Sequence, residues 1–238
     1  MAVFILIHGA WHGGWCWERV GPMLEAAGHR VLAPDLPGMG SDRTPFAPNV
    51  LAQWADFTAD LIRAQDEPVI LAGHSRGGVV ISETAERVPE YIRQLVYVTA
   101  FLLPSGMSLF ENVASYGGKH GVRPVTDEAS GTCTVEQENR RQAFCHLCPE
   151  ADAEASMARL CPEPLAALGA PLTVTMERFG SVPRAYIEAA EDQVIALDHQ
   201  RSMHAALPCD PVFTLKSDHS PFYSAPRELA DALLALAR

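Results

Sequence analysis

The chain alternates between short apolar runs and longer segments with apolar residues at helical spacing. The apolar runs predict buried strands at residues 3–7, 29–33, 68–72, 94–100, 185–187 and 211–215. The other segments predict helices at residues 18–27, 50–65, 196–206 and 226–237, with one more from a turn at 73–77 to about residue 88. This alternation predicts an α/β fold with a mostly parallel central sheet and helices on both faces.

The alternation breaks after residue 103, where a long irregular segment begins. This segment shows little strand signal, and five prolines lie between Pro149 and Pro183. We therefore predict a core of residues 1–103 and 184–238, with residues 104–183 inserted as a cap. The cap is expected to cover the carboxyl-terminal edge of the sheet, where open α/β sheets bind their ligands.

Composition excludes several classes of partner. The net charge of −11 disfavours nucleic acid and anionic membrane surfaces, which require a basic face.

The first apolar run is too short for a signal peptide, and no apolar segment has the length of a membrane span. Six cysteines without an export signal are typical of reduced thiols in the cytoplasm. Two-fold dimers are the commonest oligomers, so a homodimer is the assembly to test for.

One turn carries the strongest chemical signal. Gly73-His74-Ser75-Arg76-Gly77 follows a buried strand and precedes a helix, which is the context of a nucleophile elbow. Glycines two residues before and after Ser75 allow a sharp, strained turn that exposes its hydroxyl group. The helix that follows directs free N–H groups at the same point. Ser75 is therefore the candidate nucleophile for acyl transfer.

An activated serine needs a base, and the base needs an acid that orients it. His219 and Asp192 follow predicted strands, so both fall at the same sheet edge as Ser75. Glu191, beside Asp192, is an alternative acid. The competing histidines fit less well because they lie in a predicted helix or in the cap; they are His199, His204, His120 and His146. The competing acids are Asp198, Asp218 and Asp35.

The negative oxygen that develops during acyl transfer needs two backbone N–H donors. The residue after the nucleophile, Arg76, supplies one of them. The second is expected from the loop after the first strand, where Gly9 lets the chain turn close to Ser75 and Ala10 offers its N–H. The Arg76 side chain could meet an acidic substrate, but a salt bridge to a nearby acid is the preferred interpretation.

Four segments together resemble the α/β-hydrolase superfamily. They are residues 8–17 (HGAWHGGWCW), 35–40 (DLPGMG), 73–78 (GHSRGG) and 218–220 (DHS). Within the superfamily they are similar to the plant methylesterase, salicylate-binding-protein and hydroxynitrile-lyase group and its bacterial esterase relatives. The resemblance spans nearly the whole chain and is loosest in the cap. It implies a cofactor-free serine hydrolase with an α/β-hydrolase fold that cleaves small-molecule carboxylic esters, such as methyl or aryl esters, through an acyl-enzyme.

Other reactions on the same three residues remain alternatives. The resembling lyases carry Thr where this chain has Gly9, and Lys where it has Ser220. Without that ammonium group a leaving cyanide has no counter-charge, so both departures favour ester hydrolysis. Amide hydrolysis, perhydrolysis and a receptor role for the fold also stay open.

Position suggests an apolar substrate pocket. Its candidate residues are Gly9, Trp11, Phe101, Tyr116, Phe144, Met176, Phe179 and Phe222.

The segment Cys145-His146-Leu147-Cys148, with Cys133 and Cys161, has part of a zinc-site spacing, but its second pair is widely split. We therefore expect buried thiols that line an apolar cap and no metal.

Overall fold

The structure is a computed structural model that describes residues 1–117 and 121–238. Its strands are β1 (Val3–Ile7), β2 (Arg30–Leu32), β3 (Val69–His74), β4 (Ile92–Val98), β5 (Pro124–Asp127), β6 (Thr132–Val135), β7 (Glu163–Pro164), β8 (Arg184–Ala189) and β9 (Val212–Leu215). Its helices are α1 (Gly21–Ala26), α2 (Val50–Arg63), α3 (Gly77–Arg87), α4 (Leu109–Tyr116), α5 (Gln137–Phe144), α6 (Glu150–Arg159), α7 (Leu165–Gly169), α8 (Leu197–Ala206), α9 (Pro221–Ser224) and α10 (Pro226–Leu236). In the part of the chain that the structure describes, no helix has both the length and the apolar character needed to cross a bilayer.

Six parallel strands form the central sheet in the order β2-β1-β3-β4-β8-β9. From β1 the chain steps to β2 on one side and then returns to place β3 on the other side. Because parallel crossovers are right-handed, this reversal sends the connecting helices to opposite faces of the sheet. Consistent with this, α1 packs against α10 and α2 packs against α3. The predicted α/β fold is confirmed, and the reversal creates a crevice at the carboxyl ends of β1 and β3.

The apolar runs form strands because they are buried on both sides. Every residue of β1 and β3 is buried, which explains why their sequences lack polar alternation. The helix predicted at residues 18–27 begins later, at Gly21. A 3-10 turn at Gly14–Trp17 precedes it, and a proline in its first turn suits the start of a helix.

The segment predicted as a cap contains more regular structure than its pattern suggests. Helices α4 to α7 lie in it, together with a small antiparallel sheet in the order β5-β6-β7. The strand signal of this segment is weak because every residue of β5 is exposed and β7 has only two residues. Neither strand can show a buried apolar run. The pairing of β6 with β7 sets Cys133 opposite Glu163.

Candidate active site

Ser75 lies in a strained turn between β3 and α3. Its φ of 52° is in the left-handed region, which a residue with a Cβ rarely adopts. The turn depends on its glycines: a Cβ on Gly73 would lie 2.6 Å from the carbonyl oxygen of Gly77. A Cβ on Gly77 would lie 2.9 Å from the carbonyl oxygen of His8. The G-x-S-x-G pattern therefore lets the turn pack against the loop after β1.

Three side chains from distant parts of the chain form a continuous hydrogen-bonded row. His219 Nε2 lies 3.0 Å from Ser75 Oγ, and His219 Nδ1 lies 2.7 Å from Asp192 Oδ2. All three residues are buried. In the neutral imidazole that fits this row, Nδ1–H donates to the carboxylate and Nε2 accepts the serine proton. The loops after β3, β8 and β9 thus bring together the predicted nucleophile, acid and base.

The Asp192 carboxylate is held by more than the imidazole. Its Oδ1 accepts the backbone N–H groups of Val194 and Ile195, at 2.6 and 3.0 Å. Its Oδ2 also accepts the hydroxyl group of Thr99. Thr99 directly follows β4 and has a φ of 37°, a rare conformation for a β-branched residue. Sequence reasoning missed Thr99, although its place after a strand at the same sheet edge could have indicated it.

Four of the competing side chains bond other groups. His204 Nε2 lies 2.9 Å from Glu188 Oε1, and Asp198 accepts the hydroxyl group of Tyr116. Asp218 accepts the N–H groups of Leu147 and Ser220, at 2.7 and 3.0 Å. Asp35 accepts N–H groups of Gly14 and Ser41, and Glu191 is exposed. His199 is buried in α8, His146 lies in the cap, and His120 lies outside the described residues.

Ala10 and Arg76 line the cavity above Ser75, and each carries a backbone N–H group. Within residues 1–117 and 121–238, neither is donated to another group of the protein. The loop approaches closely because Gly9 lacks a side chain: a Cβ there would lie 2.9 Å from Ser75 Cβ and 2.8 Å from His74 Nδ1. The oxyanion-hole role predicted for these two N–H groups requires donors that are not bonded elsewhere.

Neutral histidines hold the loop after β1. His8 donates Nδ1–H to the Gly9 carbonyl oxygen at 2.9 Å and accepts the Leu36 N–H on Nε2 at 3.1 Å. His12 donates Nδ1–H to the Ala10 carbonyl oxygen at 2.7 Å. Burial lowers the pKa of His8 to about 3 and that of His12 to about 4. Burial also lowers the pKa of His74, whose Nε2 lies 2.7 Å from the His219 carbonyl oxygen.

The Arg76 side chain forms a buried ion pair and does not reach into the cavity as a free cation. Its Nε donates to Glu163 Oε1 at 2.9 Å, and both side chains are at most 1% exposed. The guanidinium group also lies 4.2 Å above the centre of the Trp54 ring. Burial raises the pKa of Glu163, while the Arg76 charge and the Trp11 N–H favour its ionised form. The salt-bridge interpretation of Arg76 thus agrees with the structure.

The cavity above Ser75 has a volume of about 270 Å³ and a mainly apolar lining. Trp11 and Phe101 line it, as predicted from position, and Gly9 lies directly beside Ser75. The cap segment supplies much of the wall, through Leu109, Phe110, Val113, Val122, Pro124, Thr126, Cys133, Leu165 and Leu168. Sequence reasoning missed these residues. The apolar spacing of Leu109 and Val113 on one helix face was the available signal.

Five predicted pocket residues are not part of the described cavity lining. Met176 is 64% exposed, and Tyr116 stacks on the His199 ring at 4.0 Å. Phe179 is buried under the Arg184 guanidinium group. The remaining two, Phe144 and Phe222, are buried against the imidazole rings of the site. Phe144 and Phe222 thus pack around the site, whereas Tyr116 and Phe179 pack elsewhere.

The cysteines of the cap are free thiols in the structure. All six cysteines of the chain are free, and Cys145 and Cys148 are buried. Across the described ranges, no group of three or more His, Cys, Asp or Glu side chains is placed to hold a metal ion. Burial raises the pKa of Cys145 and of Cys133 to about 11, so both are neutral thiols near pH 7.

Comparison with known proteins places this geometry in context. Residues 4–232 match the model of the alpha/beta hydrolase family. Methylesterase 2 of Arabidopsis thaliana is 34% identical over 250 residues, which cover 98% of this chain and 95% of that protein. The crystal structure of polyneuridine aldehyde esterase is similar along the whole of both chains, with a TM-score of 0.84 and 27% identity. A pyrethroid hydrolase from Sphingobium faniae JZ-2 gives a TM-score of 0.84 at 29% identity, over 99% of this chain and 97% of that one.

Proposed function

The chain belongs to the alpha/beta hydrolase family, and from this premise we propose that Ser75, His219 and Asp192 are the catalytic triad of a carboxylesterase-type hydrolase. Its methylesterase and esterase relatives support the hydrolysis of small-molecule esters. The observation that carries the proposal is the row from Ser75 Oγ through His219 to Asp192, in which Ser75 lines the cavity together with Ala10 and Arg76.

The mechanism follows from this geometry. His219 Nε2 takes the Ser75 proton as Oγ attacks the ester carbonyl carbon, and the N–H groups of Ala10 and Arg76 stabilise the oxyanion. The ester C–O bond then breaks, and His219 protonates the leaving alcohol. Water, deprotonated by His219, attacks the acyl-enzyme, and the acid product leaves with Ser75 reprotonated. Asp192 holds the imidazole in the required tautomer throughout. These steps use no cofactor.

The cavity supports a substrate class of neutral esters with a small apolar acyl group. Leu109, Phe110 and Leu168 offer only hydrocarbon surface. The one charged residue at the described lining, Arg76, has its guanidinium group paired with Glu163. A carboxylate on the substrate would therefore be desolvated without a partner. We propose that the cap, residues 104–183, sets this preference. The similarity to methylesterases supports methyl esters as the first members of this class to test.

The lyase alternative lacks the cation that it requires. The position directly after His219 is Ser220, a buried residue, and Gly9 leaves no room for a side chain beside Ser75. Ser220 therefore carries no ammonium group and Gly9 no hydroxyl group, so this chain lacks both of the side chains that the resembling lyases place there. Ester hydrolysis is therefore the reaction that this site favours.

The test measures turnover by the wild type and by Ser75→Ala. Hydrolysis of p-nitrophenyl acetate and of a panel of methyl esters is followed, together with cyanide release from mandelonitrile. We expect ester turnover that Ser75→Ala abolishes, and phosphonylation of Ser75 by a fluorophosphonate, with loss of fluoride, detected by mass spectrometry. Cyanide release without ester turnover, or full ester turnover by Ser75→Ala, would overturn the proposal.

We propose in addition that the protein acts in the cytoplasm and forms a homodimer. The composition supports the first statement, and the frequency of two-fold dimers supports the second. Light scattering after size-exclusion chromatography measures the mass of the assembly, and a purely monomeric mass would contradict the dimer.

A further inference from the structure

The ion pair between Arg76 and Glu163 joins the nucleophile turn to the cap. Arg76 follows Ser75 directly, whereas Glu163 comes from β7, 87 positions further along the chain. Both charges are withdrawn from water. Well-packed apolar residues often replace a buried ion pair without loss of stability, so stability alone is a weak reason to keep one. The other partners of this pair indicate a more specific role.

One of these partners is the peptide group that supplies an oxyanion donor. Arg76 Nη2 donates to the Gly9 carbonyl oxygen at 3.1 Å. That carbonyl and the Ala10 N–H belong to the same planar trans peptide group, so they point in opposite directions. A hydrogen bond that fixes the direction of the carbonyl therefore also fixes the direction of the N–H. His8 Nδ1 donates a second hydrogen bond to the Gly9 carbonyl oxygen, which also fixes the direction of this peptide group.

Glu163 holds the next peptide group of the same loop. Its Oε2 accepts the Trp11 N–H at 3.1 Å. Trp11 has a φ of 62°, a strained conformation that persists only where its surroundings enforce it. Ala10 thus lies between one peptide group held by the arginine and another held by the glutamate. Because Glu163 belongs to the cap, this clamp forms only when β7 is seated against the core.

We propose that Arg76 and Glu163 are positioning residues that aim the Ala10 N–H at the oxyanion, so that seating of the cap completes the oxyanion hole. This inference rests on the proposed function, since it assigns the two N–H groups to a tetrahedral intermediate. The pair touches no reacting atom. It acts through the Gly9 carbonyl and the Trp11 N–H, and it lowers the barrier by keeping a donor in place before the reaction starts.

Two variants and a matched control test the pair. Glu163→Gln breaks it, because the amide has only one oxygen. Its NH₂ group must face either the guanidinium group or the Trp11 N–H, and two donors then face each other. Arg76→Lys keeps the charge but cannot reach both Glu163 and the Gly9 carbonyl with a planar fork. The control is Glu83→Gln. Glu83 is also buried, bonds Arg87 through Oε2 at 2.7 Å, and accepts the Thr173 N–H on Oε1 at 2.6 Å.

The measurements are Tm, kcat and KM for a methyl ester, and the affinity of a trifluoromethyl ketone that forms a tetrahedral oxyanion adduct. Losing a whole oxyanion donor costs about 10²–10³ in kcat, so for misdirection of one donor we expect a fall of about 10–100-fold. We expect KM to stay within about threefold and ketone affinity to weaken in parallel with kcat. Glu83→Gln should lower Tm and leave kcat within about twofold.

The proposal is overturned if Glu163→Gln and Arg76→Lys keep kcat and ketone affinity within about twofold of wild type while Ser75 is acylated. It is also overturned if the fall in kcat follows the fall in Tm in the same way in all three variants, because the loss of activity would then reflect destabilisation alone. If Glu163→Gln does not fold, Arg76→Lys decides by the same criteria, because it leaves no buried charge unpaired. Failure of the proposed function is a separate result, since Ser75→Ala would then retain ester turnover.

Discussion

Asp192→Asn tests the triad assignment more sharply than removal of the serine, because the structure dictates how the new amide must lie. Asp192 Oδ1 accepts two backbone N–H groups, from Val194 and Ile195, while Oδ2 faces His219 and Thr99. If the amide NH₂ faced the two N–H groups, both buried donors would lose their acceptor. Each such loss costs about 1–3 kcal/mol, so this orientation is disfavoured by roughly 2–6 kcal/mol. The NH₂ therefore faces His219.

That orientation forces the imidazole into the wrong tautomer. The amide donates to Nδ1, so the ring proton moves to Nε2 and points at Ser75 Oγ, where it cannot accept the serine proton. In serine hydrolases with this arrangement the fault lowers kcat by about 10⁴-fold, or about 5 kcal/mol of transition-state stabilisation. Folding is little affected, because the Thr99 hydroxyl can rotate and the imidazole can change tautomer. We expect Tm within a few degrees of wild type.

The assay compares kcat for a methyl ester in Asp192→Asn and in Asp218→Asn, with circular dichroism as a check on folding. Asp218 is the matched control because it is also buried, lies next to His219 and accepts two backbone N–H groups. We expect its variant to lose less than about tenfold. A kcat for Asp192→Asn within tenfold of wild type, with a fall of about 10³-fold or more for Asp218→Asn, would refute the reasoning.

Three further predictions follow from the same contacts. Gly9→Ala places a methyl group less than 3 Å from two side chains of the site and should lower kcat by about 10–100-fold. Gly21→Ala, whose Cβ would meet only one atom, 3.7 Å away, should leave kcat unchanged, and equal kinetics for both variants would contradict us. Thr99→Val removes a hydroxyl bond to the triad carboxylate and should lower kcat by up to about tenfold, with recovery in Thr99→Ser; no recovery would argue against the hydroxyl. Burial lowers the pKa of His8 and His12 to about 3 and about 4 from 6.5, so below pH 6.5 the unfolded chain binds more protons than the folded one. The free energy of unfolding in urea should then fall towards pH 4 by at most about 1.4 kcal/mol per pH unit for each histidine; a constant value between pH 7 and 4.5 would contradict this.

The predicted pocket shows where sequence reasoning stopped. Tyr116, Phe179 and Met176 are predicted pocket residues because of their position in the chain. In the structure, Tyr116 stacks on His199, Phe179 is buried in the core and Met176 is exposed to solvent. The residues that line the cavity instead come from short helices and strands of the cap, such as Leu109 in α4 and Leu165 in α7. Their order in the chain gives no register with the core, because irregular segments carry no periodic pattern.

The sequence by itself determined the parallel α/β fold, the strained turn at Ser75 and the sheet edge at which Asp192 and His219 would lie. These features depend on neighbouring residues, because burial of apolar runs, glycine sterics and the direction of parallel strands are local properties. Only the tertiary structure decided that Thr99 bonds the carboxylate and that Glu163 pairs with Arg76. Such partners are far apart in the chain, and their distance is set by how the strands and the cap pack, which no short stretch of sequence encodes.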